Sequence, residues 1–530
     1  MAYHTMLFLL VFLPLILICY QIAGTKYRPY VLLAAGYIFF ASFSGILLLY
    51  LFGATVIMYA AGLWIDHIGQ EFKEKKNGLA RSEVKQLKKK FTGKKRAVLC
   101  GSLVLLVGVL FIVKYYNFFA ENLSAVFRLL TLPICLKSIR FLQPIGISFY
   151  TLQAVSYVVD IYEGKNRAER QFGKVALYMA FFPQIMEGPI SRFDQTADQL
   201  WKGTAISSEN LTMGAQRVLW GLFKKIVIAD RLDRAVGVAF LNYQSYDGAI
   251  LALAAVAYTV QLYNEFSGCM DIVIGVAEMF GVVLPENFRQ PFFSRSISEF
   301  WRRWHITLGQ WLKDYIFYPV SLSRHFRAIN EKARKHISSR HLLTLIPSAY
   351  ALFFVWFCNG LWHGAGIKFI IYGLYYYVLM MLGQALKPLS DKCLSSLGVS
   401  RDSKPYHIFE VLRTCAAVCF GMIIFRSESL SQAASIFSRL FLHPGLSRTV
   451  GELSAIKGID GWDYMILFLS VLLLLAVSMA KERGIELRSS LSRKILPIRW
   501  TAYMLLIFSI VILGAYGGDF VNTTFIYGEF

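Results

Sequence analysis

Two histidines lie inside long apolar stretches of this chain, and tryptophan flanks each of them. His305 sits in Ser296-Ile-Ser-Glu-Phe-Trp-Arg-Arg-Trp-His305-Ile-Thr-Leu-Gly-Gln-Trp-Leu-Lys-Asp314, and His363 in Asn359-Gly-Leu-Trp-His363-Gly-Ala-Gly366. An ionisable group at membrane depth is costly and marks a functional site by default. Imidazole is also the side chain best suited to move a proton near neutral pH. A neutral imidazole in a dry cavity is a competent general base, because desolvation disfavours its charged form. The simplest task for it is to take the proton from a hydroxyl that attacks an activated acyl group. Asn359 or an indole N–H would then steady the developing oxyanion. His363 is the first choice for the base, because glycines at 360, 364 and 366 leave room around it. His305 would orient, relay or bind. Asn359, Trp362, Trp304, Arg303 and Asp314 are the substrate-positioning candidates beside them.

Each residue has a plainer role to set against this. A lone histidine in an apolar helix is usually a hydrogen-bonded core residue, and a tryptophan stripe is usually interface anchoring. Arg302 and Arg303 fit a helix surface, and Asp271, Glu265 and Glu187 fit structural hydrogen bonding better than ion ligation. It is the pairing of two histidines with nearby polar breaks, in an apolar chain, that favours chemistry for His363.

The elements that must position them are helices in a membrane. Hydrophobic residues make up 56% of the 530-residue chain, and the mean hydropathy is +0.50. Apolar runs such as Tyr30–Trp64, Val98–Val113, Leu342–Phe357, Phe369–Leu382 and Met465–Val477 recur along it. A span needs roughly 20 apolar residues, so about ten to twelve spans are expected, some short or re-entrant. Met6–Ile22 lacks a basic start and a small-x-small cleavage site, and reads as the first span. The fold class expected is all-α, a polytopic membrane protein with a single domain over 1–530.

Ser296 with Glu299 three residues on predicts a capped helix start. From there a 3.6-residue apolar stripe runs through Phe300, Trp304, Leu308 and Trp311 to Tyr315, so His305 is expected on one continuous amphipathic helix. If the helix before Gly364 is unbroken, Asn359 and His363 share a face at i, i+4. Phe181-Phe-Pro-Gln-Ile-Met-Glu-Gly-Pro-Ile-Ser-Arg192 must break a helix. Irregular backbone at membrane depth survives only when buried in protein or lining a wet cavity.

The net charge of +22 is concentrated. Glu71–Arg96 carries eleven Lys/Arg and three Glu, Ser321–His341 six and one, and Lys481–Arg499 six and two, which together give +17 of that charge. The positive-inside rule makes these blocks cytoplasmic, with 71–96 the longest soluble loop and Lys85–Lys90 a surface helix within it. Counting spans outward then puts both termini outside. The blocks would also attract anionic lipid or a phosphate-bearing acyl donor. Spans separate them, which argues against nucleic acid as a partner. Eight scattered cysteines form no C-x-x-C pair, so neither a disulfide framework nor a zinc or other metal site is expected. There is no G-x-x-x-x-G-K-[ST], H-E-x-x-H or G-x-S-x-G.

The long motifs resemble the membrane-bound O-acyltransferase family, in its bacterial branch of alginate O-acetyltransferases and teichoic-acid D-alanyl transferases. The resemblance runs over 144–377. Ile145-Gly-Ile-Ser-Phe149, Gly188-Pro-Ile190, Leu284-Pro-Glu-Asn-Phe288, Ser294–His305 and Leu361-Trp-His-Gly364 carry it, with a weaker echo at Phe525-Ile-Tyr-Gly-Glu-Phe530. It implies a ring of helices around a thinned centre, with a tunnel between donor and acceptor sides. It also implies that His363 is the catalytic histidine and His305 the second characteristic one. No bound cofactor is implied. The acyl donor would be acetyl-CoA or an acyl carrier, and the acyl group would leave the cytoplasm for an extracytoplasmic acetyltransferase partner and the polysaccharide export machinery. Cys269-Met270, Glu187, Asn359 and Gly528-Glu529 depart from the usual pattern. The function expected is O-acetylation of an exported polysaccharide by a protein of the cell membrane. D-alanyl transfer to teichoic acid is the rival within the family. A proton-coupled transporter using His305, His363 and Asp271 is the rival outside it, although no inverted repeat supports one.

Overall fold

The computed structural model describes residues 2–445 and 459–516, so the motif echo at Phe525–Phe530 lies outside the described residues. Those residues form helices, turns and one two-residue bridge, with no strand among them. Eight stretches are long and apolar enough to cross a bilayer: Arg28–Lys75, Arg81–Leu129, Gly248–Met279, His341–His363, Ile367–Ala385, Lys404–Arg426, Gly461–Glu482 and Leu496–Leu513. The chain is a multi-pass membrane protein. The first stretch is two helices, Arg28–Ser44 and Leu48–Lys75, because Gly45 takes φ +53° between them. With the shorter Leu7–Ile22, the apolar helices among the described residues come to ten. Their outer faces stay apolar and exposed, as with Leu505, Phe508, Val511 and Ile512 on the last of them, which suits lipid as the surrounding solvent.

The basic segment 71–96 is not the separate loop with a surface helix that its charge predicted. Leu48–Lys75 runs into it, a turn spans 76–80, and Arg81–Leu129 starts inside it. The Glu83 side chain accepts a hydrogen bond from the Ala80 N–H at 3.0 Å and starts that helix. At 49 residues the helix is roughly 73 Å long, against a hydrocarbon core of about 30 Å. Its lysine-rich first turns therefore project beyond the apolar layer as a rigid extension of a span.

The described residues fall into two compact units, 1–215 with 273–285, and 216–272 with 286–530. The first packs around an aromatic cluster of Tyr3, Phe8, Phe12, Phe39 and Phe182. Its Phe181–Arg192 segment is non-helical, as the prolines required, and is buried throughout. The backbone finds partners locally. The Gly188 N–H donates to the Gln184 carbonyl at 3.0 Å, Tyr178 Oη donates to the Ser191 carbonyl at 2.9 Å, and Ser191 Oγ donates to Gln184 Oε1 at 3.1 Å. That satisfies the rule that irregular backbone at membrane depth must be internally bonded.

The second unit holds both histidines and a ladder of paired charge that runs from exposed Glu286 to buried Lys225. Arg217 bridges Asp271 (3.0 Å) and, with two nitrogens, Glu286 (2.7 and 2.6 Å). Lys224 pairs with Asp271 at 2.5 Å and donates to Ser267 Oγ at 2.9 Å. Lys225 lies between Asp230 (2.8 Å) and Glu265 (3.1 Å). Residues 223–229 wind as a π-helix, the wider turn that lets adjacent Lys224 and Lys225 reach different acids on the Gly248–Met279 helix and its surroundings.

Candidate functional site

Capping at Ser296 is as predicted: its Oγ accepts from the Glu299 N–H at 3.2 Å. The helix it starts is only Ile297–Arg303. Trp304 is extended and His305 is left-handed, at φ +48° and ψ +50°, before a second helix, Ile306–Leu312. The single helix expected through Tyr315 is thus broken at the histidine. The cause is the Leu284-Pro-Glu-Asn-Phe288 turn, which supplies backbone to the break. Phe288 bridges Trp304, the Arg289 N–H donates to the Arg303 carbonyl at 2.9 Å, and the Ile306 N–H donates to the Asn287 carbonyl at 3.0 Å. These bonds offset the roughly 1–2 kcal/mol that a left-handed non-glycine residue costs.

Asn287 also fixes the imidazole. Its Oδ1 accepts from the Thr307 N–H (3.1 Å) and the Thr307 hydroxyl (2.9 Å). An atom that receives a backbone N–H must be the amide oxygen. His305 Nδ1 lies 3.3 Å from the same oxygen and so is its donor. The proton sits on Nδ1, and the lone pair of the neutral ring sits on Nε2. Phe266 meets the ring edge-to-face at 4.8 Å, and Trp362 meets it at 5.2 Å.

His363 is the last residue of the helix Arg340–His363, which runs unbroken through Asn359, so the two do share a face. The ring is 2% exposed. Trp362, Phe425 and Tyr372 surround it at 5.1, 5.3 and 5.6 Å. Trp362 therefore touches both imidazoles, which are no further apart than the sum of their distances to it. Asn359 is 4% exposed, and its Nδ2 has no hydrogen-bond partner among the described residues. The neighbouring glycines serve packing instead of the open space expected of them. A Cβ on Gly360 would strike the Phe369 carbonyl, and one on Gly364 would strike the Phe369 ring. They let the helix Ile367–Ala385 approach closely.

The remaining candidates separate. Trp304 packs against Phe288, Phe300 and Tyr263 at 5.1, 5.4 and 6.0 Å in the aromatic core. Arg303 donates to Glu299 at 2.7 Å and to Glu482 at 2.8 Å. Burial pushes its guanidinium down, and the two carboxylates more than offset that. Asp314 lies half-buried on a π-helical turn, Lys313–Phe317. Sequence reasoning passed over Asn287, Phe266, Tyr372, Phe425 and the two buried lysines. For the lysines a signal existed, since adjacent Lys224-Lys225 interrupt an otherwise apolar Val218–Ala229. Phe266 and Ser267 are consecutive, so the charge ladder ends one residue from the ring that covers His305. Among the described residues no group of three or more His, Cys, Asp or Glu lies close enough to hold a metal ion.

A polytopic helical protein with two buried imidazoles on one indole is matched over residues 165–421 by the profile of MBOAT, the membrane-bound O-acyltransferase family. The chain belongs to that family and is an acyltransferase. It is 34% identical to the probable alginate O-acetylase AlgI of Pseudomonas syringae pv. tomato over 445 residues, 83% of this chain and 75% of the relative. It is 27% identical to the peptidoglycan O-acetyltransferase of Helicobacter pylori, over 67% of this chain and 66% of that one. With the teichoic acid D-alanyltransferase of Bacillus subtilis it shares 27% identity over 54% of this chain and 69% of that one.

Proposed function

We propose that this acyltransferase passes an acetyl group from a cytoplasmic thioester donor, acetyl-CoA or an acyl carrier, across the membrane for O-acetylation of an exported polysaccharide. His363 is the general base. Its imidazole takes the proton of the acceptor hydroxyl as the oxygen attacks the acyl carbonyl, the tetrahedral oxyanion forms, and the thiol leaves with the proton. The amide N–H of Asn359, buried and without a partner, supports its assignment as oxyanion donor. His305, its tautomer held by Asn287, relays or orients across Trp362. Arg303, Trp304 and Asp314 act around this pair by holding the donor side in place. The observation that carries the proposal is the contact of both imidazoles with one buried indole. In such a site the acyl group and hydroxyl meet with water excluded, which strengthens each electrostatic contact.

Residues 144–377 form the catalytic core of a single domain in this proposal, residues 71–96 face the cytoplasm, and both termini lie outside the cell membrane. The acetyl group is handed to an extracytoplasmic acetyltransferase partner working with the export machinery. Acetyl transfer is preferred to D-alanyl transfer because the O-acetylase similarity extends over more of the chain and is stronger. The test is the ester content of the exported glycan in His363→Ala at matched expression. Loss of a general base costs about 10²–10⁴-fold in rate, so acetyl esters should vanish. Wild-type acetyl levels would remove His363 from the chemistry, and D-alanine esters in the wild type would reassign the acyl group.

A further inference from the structure

Beyond this reaction, a second site lies in the second unit. A cavity of about 560 Å³ is lined by Phe293, Arg295, His407, Ile408, Leu412 and Glu482, with Glu299 and Arg303 on its wall. It sits where two spans end, since Lys404–Arg426 begins beside it and Gly461–Glu482 finishes beside it. That is the depth of lipid headgroups.

Its charges are unequally matched. Arg303 is shared by Glu299 and Glu482. Among the described residues, no carboxylate lies within ion-pair distance of the Arg295 guanidinium. Its backbone N–H donates to Glu299 Oε2 at 3.0 Å, and its Nη1 lies 2.9 Å from His407 Nε2. A guanidinium only donates, so this histidine nitrogen accepts and the ring adds no charge. Arg413 donates to the Arg295 carbonyl at 2.9 Å and lies over the Phe409 ring at 5.9 Å, again with no acid partner among the described residues. Glu410, on the same helix, reaches neither arginine within ion-pair distance. Beside these two cations Ile408 is 61% exposed and Leu412 64%, one turn apart on the face that a span turns to lipid.

We propose that this cavity binds an anionic glycerophospholipid, its phosphate on Arg295 with Arg413 behind and its acyl chain along Ile408 and Leu412. The glycerol hydroxyls of a phosphatidylglycerol headgroup would donate toward Glu482 and Glu299, whose two charges share one guanidinium. The leaflet is the one that meets the basic Lys481–Arg499 segment, where anionic lipid concentrates.

The test offers full-length protein equimolar phosphatidylglycerol and phosphatidylcholine in mixed micelles and counts retained lipid by native mass spectrometry. Wild type should retain phosphatidylglycerol in preference. Arg295→Gln should lower that retention about fivefold, the effect of one basic side chain at an anionic headgroup. His407→Glu, in the first turn of its helix where a carboxylate is tolerated, should neutralise Arg295 in place and match that loss. Arg295→Lys should keep most of the binding, and Lys88→Gln on the basic Arg81–Leu129 helix should change nothing. Equal retention of the two lipids, or unchanged retention in both Arg295→Gln and His407→Glu, overturns the proposal. So does displacement of the lipid by an equal concentration of glycerol phosphate, which would make this a site for a soluble anion.

Discussion

Removing the Asn287 side chain tests how the site is held together. Asn287→Ala deletes one oxygen that accepts from the Thr307 N–H, the Thr307 hydroxyl and His305 Nδ1. Asn287 and His305 are 1% and 2% exposed, so water does not replace the acceptor. A buried donor left unmade costs about 1–3 kcal/mol. The hydroxyl can rotate to another acceptor, but the backbone N–H cannot, so the expected loss is roughly 2–4 kcal/mol. Thr307→Val removes only the hydroxyl bond and should cost about 1 kcal/mol. The double variant should cost less than the sum, because the two singles share that bond. With the Asn287 contact to His305 lost, acyl transfer should fall about 10²-fold, the scale of a misplaced group near the chemistry. Asn287→Asp separates the two effects. Asn287 Nδ2 has no hydrogen-bond partner among the described residues, so the second oxygen replaces no bond there and the Thr307 contacts survive. A carboxylate beside the imidazole favours its charged form. The ring then stays protonated to higher pH, and the acid limb of the rate profile moves upward. The measurements are thermal melting in detergent by tryptophan fluorescence and transfer of labelled acetyl groups against pH. An Asn287→Ala protein that melts and transfers like wild type, or an Asn287→Asp limb that stays put or moves down, refutes the reasoning.

Other outcomes follow from the same contacts. Lys225→Met leaves Glu265 and Asp230 facing an apolar group and should cost about 3–5 kcal/mol in denaturant unfolding, most of it regained when Glu265→Gln is added. Gly360→Ala drives a methyl into the Phe369 carbonyl and should lower stability by about 1–3 kcal/mol, read as a lower melting temperature with His363 chemically intact. Gly45→Ala has open space around its Cβ but a backbone at φ +53° and ψ −126°, outside the left-handed helical well, so about 1–3 kcal/mol of loss should appear without any repacking.

The sequence disclosed what is local and left hidden what is long-range. Apolar runs show most of the spans because lipid leaves helices no other way to bury their backbone. Ser296 announces a helix start, and Pro183 with Pro189 announce the irregular buried segment, because capping and proline act within a few residues. The stripe from Phe300 to Tyr315 misled because its 3.6 spacing survives a left-handed kink, and the residue that enforces the kink, Asn287, lies 18 positions upstream. The glycines near His363 invited a reading of open space, yet what fills it, Phe369, belongs to the next helix. Lys225 has Asp230 nearby, but Glu265 lies 40 residues on from it and Asp271 47 on from Lys224, and no periodicity reports such long-range pairing.

That pairing bears on how the protein is made. The helical segment 216–241 leaves the ribosome with five Lys/Arg against only Asp230 and Asp233, and its two lysines find Asp271 and Glu265 only after another thirty or so residues are synthesised. Alone it is too polar to partition into lipid. The expected outcome is that it waits in the insertion machinery until its acidic counterpart emerges, and that the two helices then enter the bilayer together as a charge-paired hairpin. In a nascent chain stalled at Val260, segment 216–241 should still crosslink to the insertion machinery, and in one stalled well past Met279 it should not.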